Sequence, residues 1–361
     1  MTTALSGSAA ALGHDMKMGV ELYFDFINKQ GGIGEQKLEL IVRDDGYEPE
    51  HAAVNMRTLI DADNVVAVIG NVGTPTAIVT VPIAKEKKIL LFGAFSGGDV
   101  LREDPVSRYI INYRPSYTEE TAEMLSGLFK SGIKPQEIAF FTQRDGYGNA
   151  GYQGAIQALL AHGYNKYDQL AHGRYTRNTL NVEDAVATIL DAKIEPKAII
   201  MAGGYAPSAK FITLLQQDFP DMLFLNLSFV GSHALQQVLP ADVKNVIVTQ
   251  VVPNLDSSLP IVDEYLTILE QSEHRVEPNF VSFEGFIIAK IFHQGLLNID
   301  GEINKESIID GFESMSEVDI GLGIGINYSQ TDHQALHSLW LTSIQVGKLG
   351  YFDWSMLMSG E

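Results

Sequence analysis

The stretch Val65–Phe92, with the sequence VVAVIGNVGTPTAIVTVPIAKEKKILLF, decides the fold class of this chain. A short apolar run, Val65–Ile69, is followed by a turn rich in glycine and threonine. A helical segment, Pro75–Lys85, and a second apolar run, Ile89–Phe92, come next. Short buried strands that alternate with helices are typical of parallel sheets with crossover helices. The stretch therefore predicts an α/β protein built on parallel sheets.

The same alternation extends in both directions along the chain. We predict further strands at Leu38–Arg43, Tyr109–Asn112, Glu137–Thr142, Ala198–Met201, Leu223–Leu227 and Val246–Val251. We predict further helices at Gly13–Gln30, Pro49–Asp61, Thr118–Lys130, Asn149–His162, Asn181–Ala192, Pro207–Gln217, Val281–Leu297 and Glu302–Phe312. Two late strands, Ile324–Tyr328 and Ala335–Val346, are expected to complete two sheets.

Length and composition restrict the function. The 361 residues are 45% hydrophobic, which suggests two lobes with cores of their own. The formal net charge of −20 argues against nucleic acid or an anionic membrane surface as a partner. The absence of cysteine excludes disulfides, thiolate nucleophiles and cysteine-ligated metals. No secretion leader follows Met1. If the protein is exported, we expect that its leader has been removed from the sequence as given.

Ligands of open parallel sheets bind beyond the carboxyl ends of the strands, where helices begin. The loops predicted to lie there are rich in glycine, serine, threonine, asparagine and tyrosine. They are Thr2–Gly13, Gly70–Thr76, Gly93–Asp99, Gln143–Asn149, Gly203–Pro207 and Ser228–Ser232. This composition indicates binding loops, although ordinary turn chemistry explains part of it.

Two neighbouring loops carry donors for a carboxylate. In Gly70–Thr76, free amides and the Thr74 hydroxyl could hold such a group, and the alternative is a plain helix cap by Thr74. One strand later, Phe95, Ser96 and Gly97 occupy the corresponding place. The Phe95 ring could pack on a ligand or belong to the core.

Two tyrosines follow strands in turns that contain glycine and are predicted to expose them. Tyr147 lies in the turn Arg144–Gly148, and Tyr205 lies in Gly203–Pro207. Such tyrosines suit a partly apolar ligand because each combines an apolar ring with a hydroxyl. The alternative is a surface tyrosine on a tight turn.

Other motifs offer no catalytic or metal chemistry. Gly321–Gly325 resembles a nucleotide-binding fingerprint only superficially, since it lacks the last glycine and opens no helix. His333 and His337 have no third ligand nearby in sequence. No nucleophile elbow or zinc-protease motif occurs, so neither a catalytic residue, a metal nor a cofactor is expected.

The order and spacing of the loop motifs resemble those of a known family over essentially the whole chain. These motifs are Leu5–Gly7 with Leu12–Gly13, Gly70–Thr74, Gly93–Gly97, Asp145–Gly148, Gly203–Tyr205 and Phe229–Gly231. The chain is similar to the type I periplasmic binding proteins of the branched-chain amino acid (Leu/Ile/Val) group, which serve ABC importers. The resemblance implies two Rossmann-like lobes joined by three crossovers. The amino-terminal lobe would hold residues 1–117 and 253–328, and the other lobe residues 118–252 and 329–361.

The resemblance also implies how a ligand would be held. Thr74 and the Ser96–Gly97 turn would clamp a carboxylate, and Tyr147 and Tyr205 would close on the ligand from the other lobe. The protein would be a monomeric, extracytoplasmic solute receptor, periplasmic or lipid-anchored. Its membrane partner would be an ABC permease or, as an alternative, a receptor module that it serves as a sensor. A rival of another class is a doubly wound enzyme that acts on a small carboxylate.

Two departures from the family pattern matter. Amino-acid binders place an acidic residue just before the Val-Gly of the last loop, where this chain has Ser228 and Phe229. Unless Asp145 or Glu284 substitutes, a buried ligand ammonium would stay unpaired, which favours a carboxylate without an amine, aliphatic or aromatic. In addition, only residues 1–4 correspond to the family's first strand.

Overall fold

The structure is a computed structural model that describes residues 1–274 and 276–358. Its helices are α1 (Ala10–Lys29), α2 (Pro49–Asp61), α3 (Thr74–Lys87), α4 (Tyr117–Lys130), α5 (Gly146–Ala161), α6 (Glu183–Leu190), α7 (Tyr205–Leu215), α8 (Ser232–Val238), α9 (Pro260–Gln271), α10 (Phe280–Leu297), α11 (Lys305–Glu313) and α12 (Ser355–Met358). Its strands are β1 (Thr2–Thr3), β2 (Arg43–Asp44), β3 (Ala67–Ile69), β4 (Leu90–Phe92), β5 (Ile110–Ile111), β6 (Ile138–Gln143), β7 (His172–Tyr175), β8 (Ala198–Ala202), β9 (Leu223–Asn226), β10 (Val246–Gln250), β11 (Val318–Asp319), β12 (Gly325–Ile326), β13 (Trp340–Gln345) and β14 (Lys348–Tyr351).

The chain forms two compact units and passes between them three times. Unit 1 comprises Met1–Pro115 and Val252–His337, and unit 2 comprises Ser116–Val251 and Ser338–Glu361. The third division differs from the predicted one, because residues 329–337 belong to unit 1. There the backbone amide of Asn112 donates to the carbonyl of His333 over 2.7 Å.

Unit 1 is built around the stretch Val65–Phe92. Strands β3, β4 and β5 pair in parallel, and β1 pairs in parallel with β2. The β3–β4 core buries Met56, Val68, Val81 and Leu91 between the strands and the helices α2 and α3. By length and composition α10 could cross a membrane, but 78% of it is buried in the structure, as in the core helix of a folded unit.

Unit 2 contains one seven-stranded sheet in the order β14-β13-β10-β9-β8-β6-β7. The strands β7, β6, β8, β9 and β10 are parallel, and β13 and β14 are antiparallel additions at one edge. Each parallel strand is followed by a loop at the same edge of the sheet. The loops after β6, β8 and β9 carry Tyr147, Tyr205 and Ser228.

Most predicted elements are confirmed to within a few residues, and the differences have local causes. The predicted strand Ile324–Tyr328 does not complete a sheet; instead β12 folds back on β11 as a separate antiparallel pair. Strand β7 escaped prediction because its sequence, HGRY, is polar and contains glycine, as an edge strand allows. Helix α9 was also missed, although Ile261, Tyr265 and Ile268 form a visible helical stripe.

Candidate functional site

In unit 1 the two predicted carboxylate loops lie side by side. Strands β3 and β4 are parallel neighbours, so their loops leave the same edge of the sheet. The amide of Phe95 donates to the carbonyl of Asn71 over 2.8 Å, and the amide of Gly73 donates to the carbonyl of Phe95 over 3.2 Å. These bonds extend the pairing of the strands into the loops. The sequence therefore brings the start of α3 next to residues 95–98, which we call the Ser96 turn.

Two hydroxyls meet between these loops. The Oγ1 atom of Thr74 and the Oγ atom of Ser96 are 2.7 Å apart, and both residues are buried. The amide of Gly98 donates to Ser96 Oγ over 3.1 Å, and the intervening Gly97 is buried as well. Hydroxyls at the first turn of a helix are donors that suit an anionic oxygen. The predicted group Thr74, Ser96 and Gly97 is thus assembled within one unit.

Two glycines make this assembly possible. Gly73 has φ +109°, and a Cβ atom there would lie 2.3 Å from the Tyr47 ring. A Cβ atom on Gly98 would lie 2.6 Å from the methyl group of Thr74. A side chain at either position would push apart the loops that bring the two hydroxyls together.

Phe95 lies under a buried ion pair. The guanidinium carbon of Arg114 is 4.1 Å from the centre of the Phe95 ring, which is a cation–π contact. Arg114 Nε and Nη2 donate to the two carboxylate oxygens of Glu284 over 2.8 and 2.6 Å. Their side chains are 1% and 2% exposed, so the pair is desolvated. Arg114 therefore holds the Phe95 ring in place, and Phe95 is the first residue of the Ser96 turn.

In unit 2, Tyr147 is the second residue of helix α5 and is fully buried, whereas the sequence predicted an exposed turn. Asp145 caps the helix by accepting from the Tyr147 amide over 3.0 Å, which turns the tyrosine ring into the unit. The ring centre lies 4.5 Å from that of Phe229 and 5.3 Å from that of Tyr117. Tyr147, Phe229 and Tyr117 thus form one cluster of aromatic rings in unit 2.

Tyr205 occupies the equivalent position on the next loop but one. It begins helix α7, is partly buried and packs against the apolar core of unit 2. The hydroxyl of Tyr175 accepts from the Gly204 amide over 2.8 Å and donates to Gln143 Oε1 over 2.7 Å. Burial raises the pKa of Tyr175, so the hydroxyl keeps the proton that this arrangement needs. Tyr175 therefore links the loops that carry Tyr147 and Tyr205.

Unit 2 contains a buried carboxylate that was not predicted from the sequence. Glu120 on α4 is 0% exposed and accepts from the amide and the hydroxyl of Ser228 over 2.7 and 2.9 Å. The hydroxyl of Thr249 also donates to it. The sequence contains a signal for this burial, because Glu120 interrupts the apolar stripe that Tyr117 and Met124 form on the helix. The neighbouring Glu119 has a different role, since it belongs to a capping box with Ser116.

The two acidic residues proposed as substitutes for the family's acid have other partners. Glu284 is held by Arg114 within unit 1. Asp145 caps α5, accepts from Gln143 Nε2 over 2.6 Å and lies 3.6 Å from Arg177. Burial raises the pKa of Asp145, and these hydrogen bonds together with Arg177 oppose that shift. The carboxylate that reaches the last loop of unit 2 is that of Glu120.

Comparisons with known proteins agree on one family. A sequence model described as periplasmic binding protein matches residues 1–348. The chain is 26% identical over 203 residues to Leu/Ile/Val-binding protein homolog 3 of Brucella melitensis biotype 1; this match covers 56% of the chain and about half (52%) of that relative. It is 22% identical over 371 residues to Leu/Ile/Val-binding protein homolog 7 of Brucella abortus, covering 95% of the chain and 88% of the relative. A crystal structure of a possible leucine/isoleucine/valine-binding protein from Rhodopirellula baltica SH 1 is 43% identical, with a TM-score of 0.95 over 99% of this chain and 96% of that one.

Proposed function

The chain belongs to the periplasmic binding protein family, and from that premise we propose that it captures a small carboxylate-bearing solute and delivers it to an ABC importer. The family consists of solute-binding proteins rather than enzymes, and membership implies an extracytoplasmic location. The proposal adds a ligand class, a set of contacts and a membrane partner to this family assignment.

The observation that carries the proposal is the hydroxyl pair of unit 1. Thr74 and Ser96 lie 2.7 Å apart at the beginning of a 14-residue helix, next to the amides of the Ser96 turn. A carboxylate has two oxygens that accept several hydrogen bonds, and a helix N-terminus favours negative charge. An amide or alcohol would gain less from the helix end because it carries no charge. We therefore propose that the ligand binds this group through its carboxylate.

Aromatic residues of unit 2 support an apolar remainder of the ligand. Tyr147, Phe229 and Tyr117 form a buried cluster of rings at the predicted loops, and Tyr205 is a further, partly buried ring. We propose that Tyr147 and Tyr205 contact an aliphatic or aromatic ligand chain. Ser228 contributes indirectly, since its amide and hydroxyl hold Glu120.

Glu120 provides a reason to test ligands with and without an amine. A buried carboxylate beside the last loop could balance a ligand ammonium, as the names of the Leu/Ile/Val-binding relatives suggest. The donors already on Glu120 could equally satisfy it without a ligand charge. A pair of ligands that differ only in the amine separates these two cases.

The first experiment is a thermal-shift and calorimetric comparison on the full chain. The ligands are L-leucine, its amine-free analogue 4-methyl-2-oxopentanoate, hexanoate and phenylacetate, and the matched controls are L-leucinamide and hexanamide. A ligand at a hundred times its Kd contributes about 2.7 kcal/mol, which raises Tm by roughly 5 °C or more in a unit of this size. We expect such a shift from at least one carboxylate and none from its amide.

Variants then test the contacts. Thr74→Val and Ser96→Ala each remove one hydroxyl with little change in shape, and each should weaken carboxylate binding about tenfold. Thr213→Val removes a hydroxyl that donates to its own helix in unit 2 and serves as the control. Equal binding of hexanoate and hexanamide, or unchanged affinity in both unit 1 variants, would contradict the carboxylate proposal.

A further inference from the structure

Arg102 connects the Ser96 turn to two segments of unit 1, one ending at Pro115 and the other at His337, at which the chain leaves this unit. It follows the short helical turn Asp99–Leu101, and its side chain is partly buried. Its Nη1 atom donates to the carbonyls of Ser96 and Gly98 over 3.5 and 3.1 Å. The guanidinium therefore holds the backbone of the turn that carries the predicted ligand contacts.

The same guanidinium also binds the segment at the first division between the units. Arg102 Nη2 donates to the carbonyls of Arg114 and Pro115 over 2.7 and 3.2 Å. Pro115 is the last residue of unit 1 before the chain passes into unit 2. The guanidinium of Arg102 thus binds both the Ser96 turn and the segment that ends at Pro115.

A third segment completes the set. Arg102 Nε donates to Gln334 Oε1 over 2.7 Å, and Gln334 Nε2 donates to the carbonyl of Leu336 over 3.0 Å. Leu336 lies just before His337, where the chain leaves unit 1 for the last time. The amide of Leu336 in turn donates to the carbonyl of Tyr113, so the two segments are joined by backbone as well.

The residue type matters here. A guanidinium presents donors in one plane with fixed directions, whereas an ammonium is a compact group that cannot reach acceptors on several separated segments at once. Hydrogen bonds from a charged donor are also stronger than neutral ones. Moving either exit segment would therefore pull on the Ser96 turn through a stiff connection.

We propose that Arg102 is a positioning residue that couples the geometry of the Ser96 turn to the segments where the chain passes between the units. The functional meaning of the coupling rests on the proposed function, since a carboxylate held at the turn would then bias those segments. The coupling itself is a property of the ligand-free chain and is tested without any ligand.

The test is a double-mutant cycle followed by amide hydrogen exchange in the ligand-free full chain. Gly98 and Leu101 report on the turn, because their amides donate to Ser96 Oγ and to the Gly98 carbonyl. Ala335 and Leu336 report on the crossing segments, because their amides donate to the carbonyls of Asn112 and Tyr113. The variants are Arg102→Gln, Gln334→Ala and the double variant, with Arg57→Gln as a control that removes an exposed ion pair of unit 1.

We expect Gln334→Ala to accelerate exchange at Gly98 and Leu101 about tenfold, the factor that corresponds to one charge-assisted hydrogen bond. Gln334 lies 232 positions from Arg102 in the sequence and accepts from its Nε atom, and the double variant tests whether the effect passes through the guanidinium. In the Arg102→Gln background the same change should leave these turn amides unaffected. Arg57→Gln should change neither set.

Two results would overturn the coupling. One is normal exchange at the turn amides in Gln334→Ala, and the other is a double variant whose effects are the product of the single ones. Should Arg102→Gln fail to fold, Arg102→Lys, which keeps the charge without the planar fork, replaces it in the cycle. Failure of all four carboxylates of the panel to bind the unaltered protein would count against the proposed function only.

Discussion

The buried pair Arg114–Glu284 leads to a quantitative prediction about unit 1. Glu284→Gln removes the negative charge and keeps the shape of the side chain. Both partners are at most 2% exposed and form two bonds of 2.8 and 2.6 Å, so water cannot replace the lost carboxylate. Removing one partner of such a pair costs about 3–5 kcal/mol. The amide still accepts one bond, so we expect the lower end, about 3 kcal/mol.

The assay is equilibrium unfolding by denaturant and by heat, with a probe for each unit. A loss of about 3 kcal/mol corresponds to a fall in Tm of roughly 6–12 °C for a unit of about 200 residues. The transition of unit 1 should move and that of unit 2 should not. The matched control is Glu86→Gln, whose side chain is 56% exposed and pairs with Arg57 at the surface of unit 1. Because solvent screens this exposed pair, the change should lower the stability of unit 1 far less than Glu284→Gln does.

A loss in Glu284→Gln no larger than that in Glu86→Gln would refute the reasoning. It would mean that the pair is hydrated, or that Arg114 does not depend on Glu284 for its charge balance. A loss shared equally by both units would refute the assignment of the pair to unit 1 alone.

Three further predictions concern binding and pH. Replacing Tyr147 and Tyr205 by alanine should weaken binding of the best carboxylate of the panel more than tenfold by calorimetry while leaving a cooperative unfolding transition; unchanged affinity would disprove their role. Burial raises the pKa of Asp45 to about 6, so the folded chain holds a proton that the unfolded chain releases, and unit 1 should lose stability as the pH rises from about 4 to 6. Asp45→Asn should abolish that slope in denaturant titrations at several pH values. Burial lowers the pKa of His172 to about 4, so the unfolded chain binds a proton that the folded chain does not, and unit 2 should gain stability as the pH rises from about 4 to 6.5. If the dependence of stability on pH persists in His172→Gln, another group is responsible.

Local pattern was sufficient for most of the architecture. The predicted strand Val65–Ile69, the turn after it and the predicted helix Pro75–Lys85 are confirmed as β3, a loop and α3, with ends that differ by one or two residues. Periodicity is a property of neighbouring residues, so it survives into the folded state when the segment has one buried face. It fails where the face is mixed, as in the edge strand β7, and where a pairing partner must be known, as for β12.

The candidate site was predictable in position but not in chemistry. The sequence placed Thr74, Ser96, Tyr147 and Tyr205 at strand ends, because a parallel sheet puts all its carboxyl ends at one edge. It did not indicate that Tyr147 would be buried, since that depends on the cap by Asp145 and on rings elsewhere in unit 2. The predicted roles of these residues in ligand binding stay predictions.

The sequence by itself determined the α/β class and the family, and it predicted the loops at which a ligand would bind, since each follows from short-range pattern or from the order of motifs. Only the tertiary structure decided which carboxylates are engaged: Glu284 with Arg114, and Glu120 with Ser228. These partners are 170 and 108 positions apart in the sequence. The free energy of a buried charge depends on whichever groups folding brings within about 3 Å of it. No local pattern records that information, so the charge balance around the predicted binding loops became visible only in the folded chain.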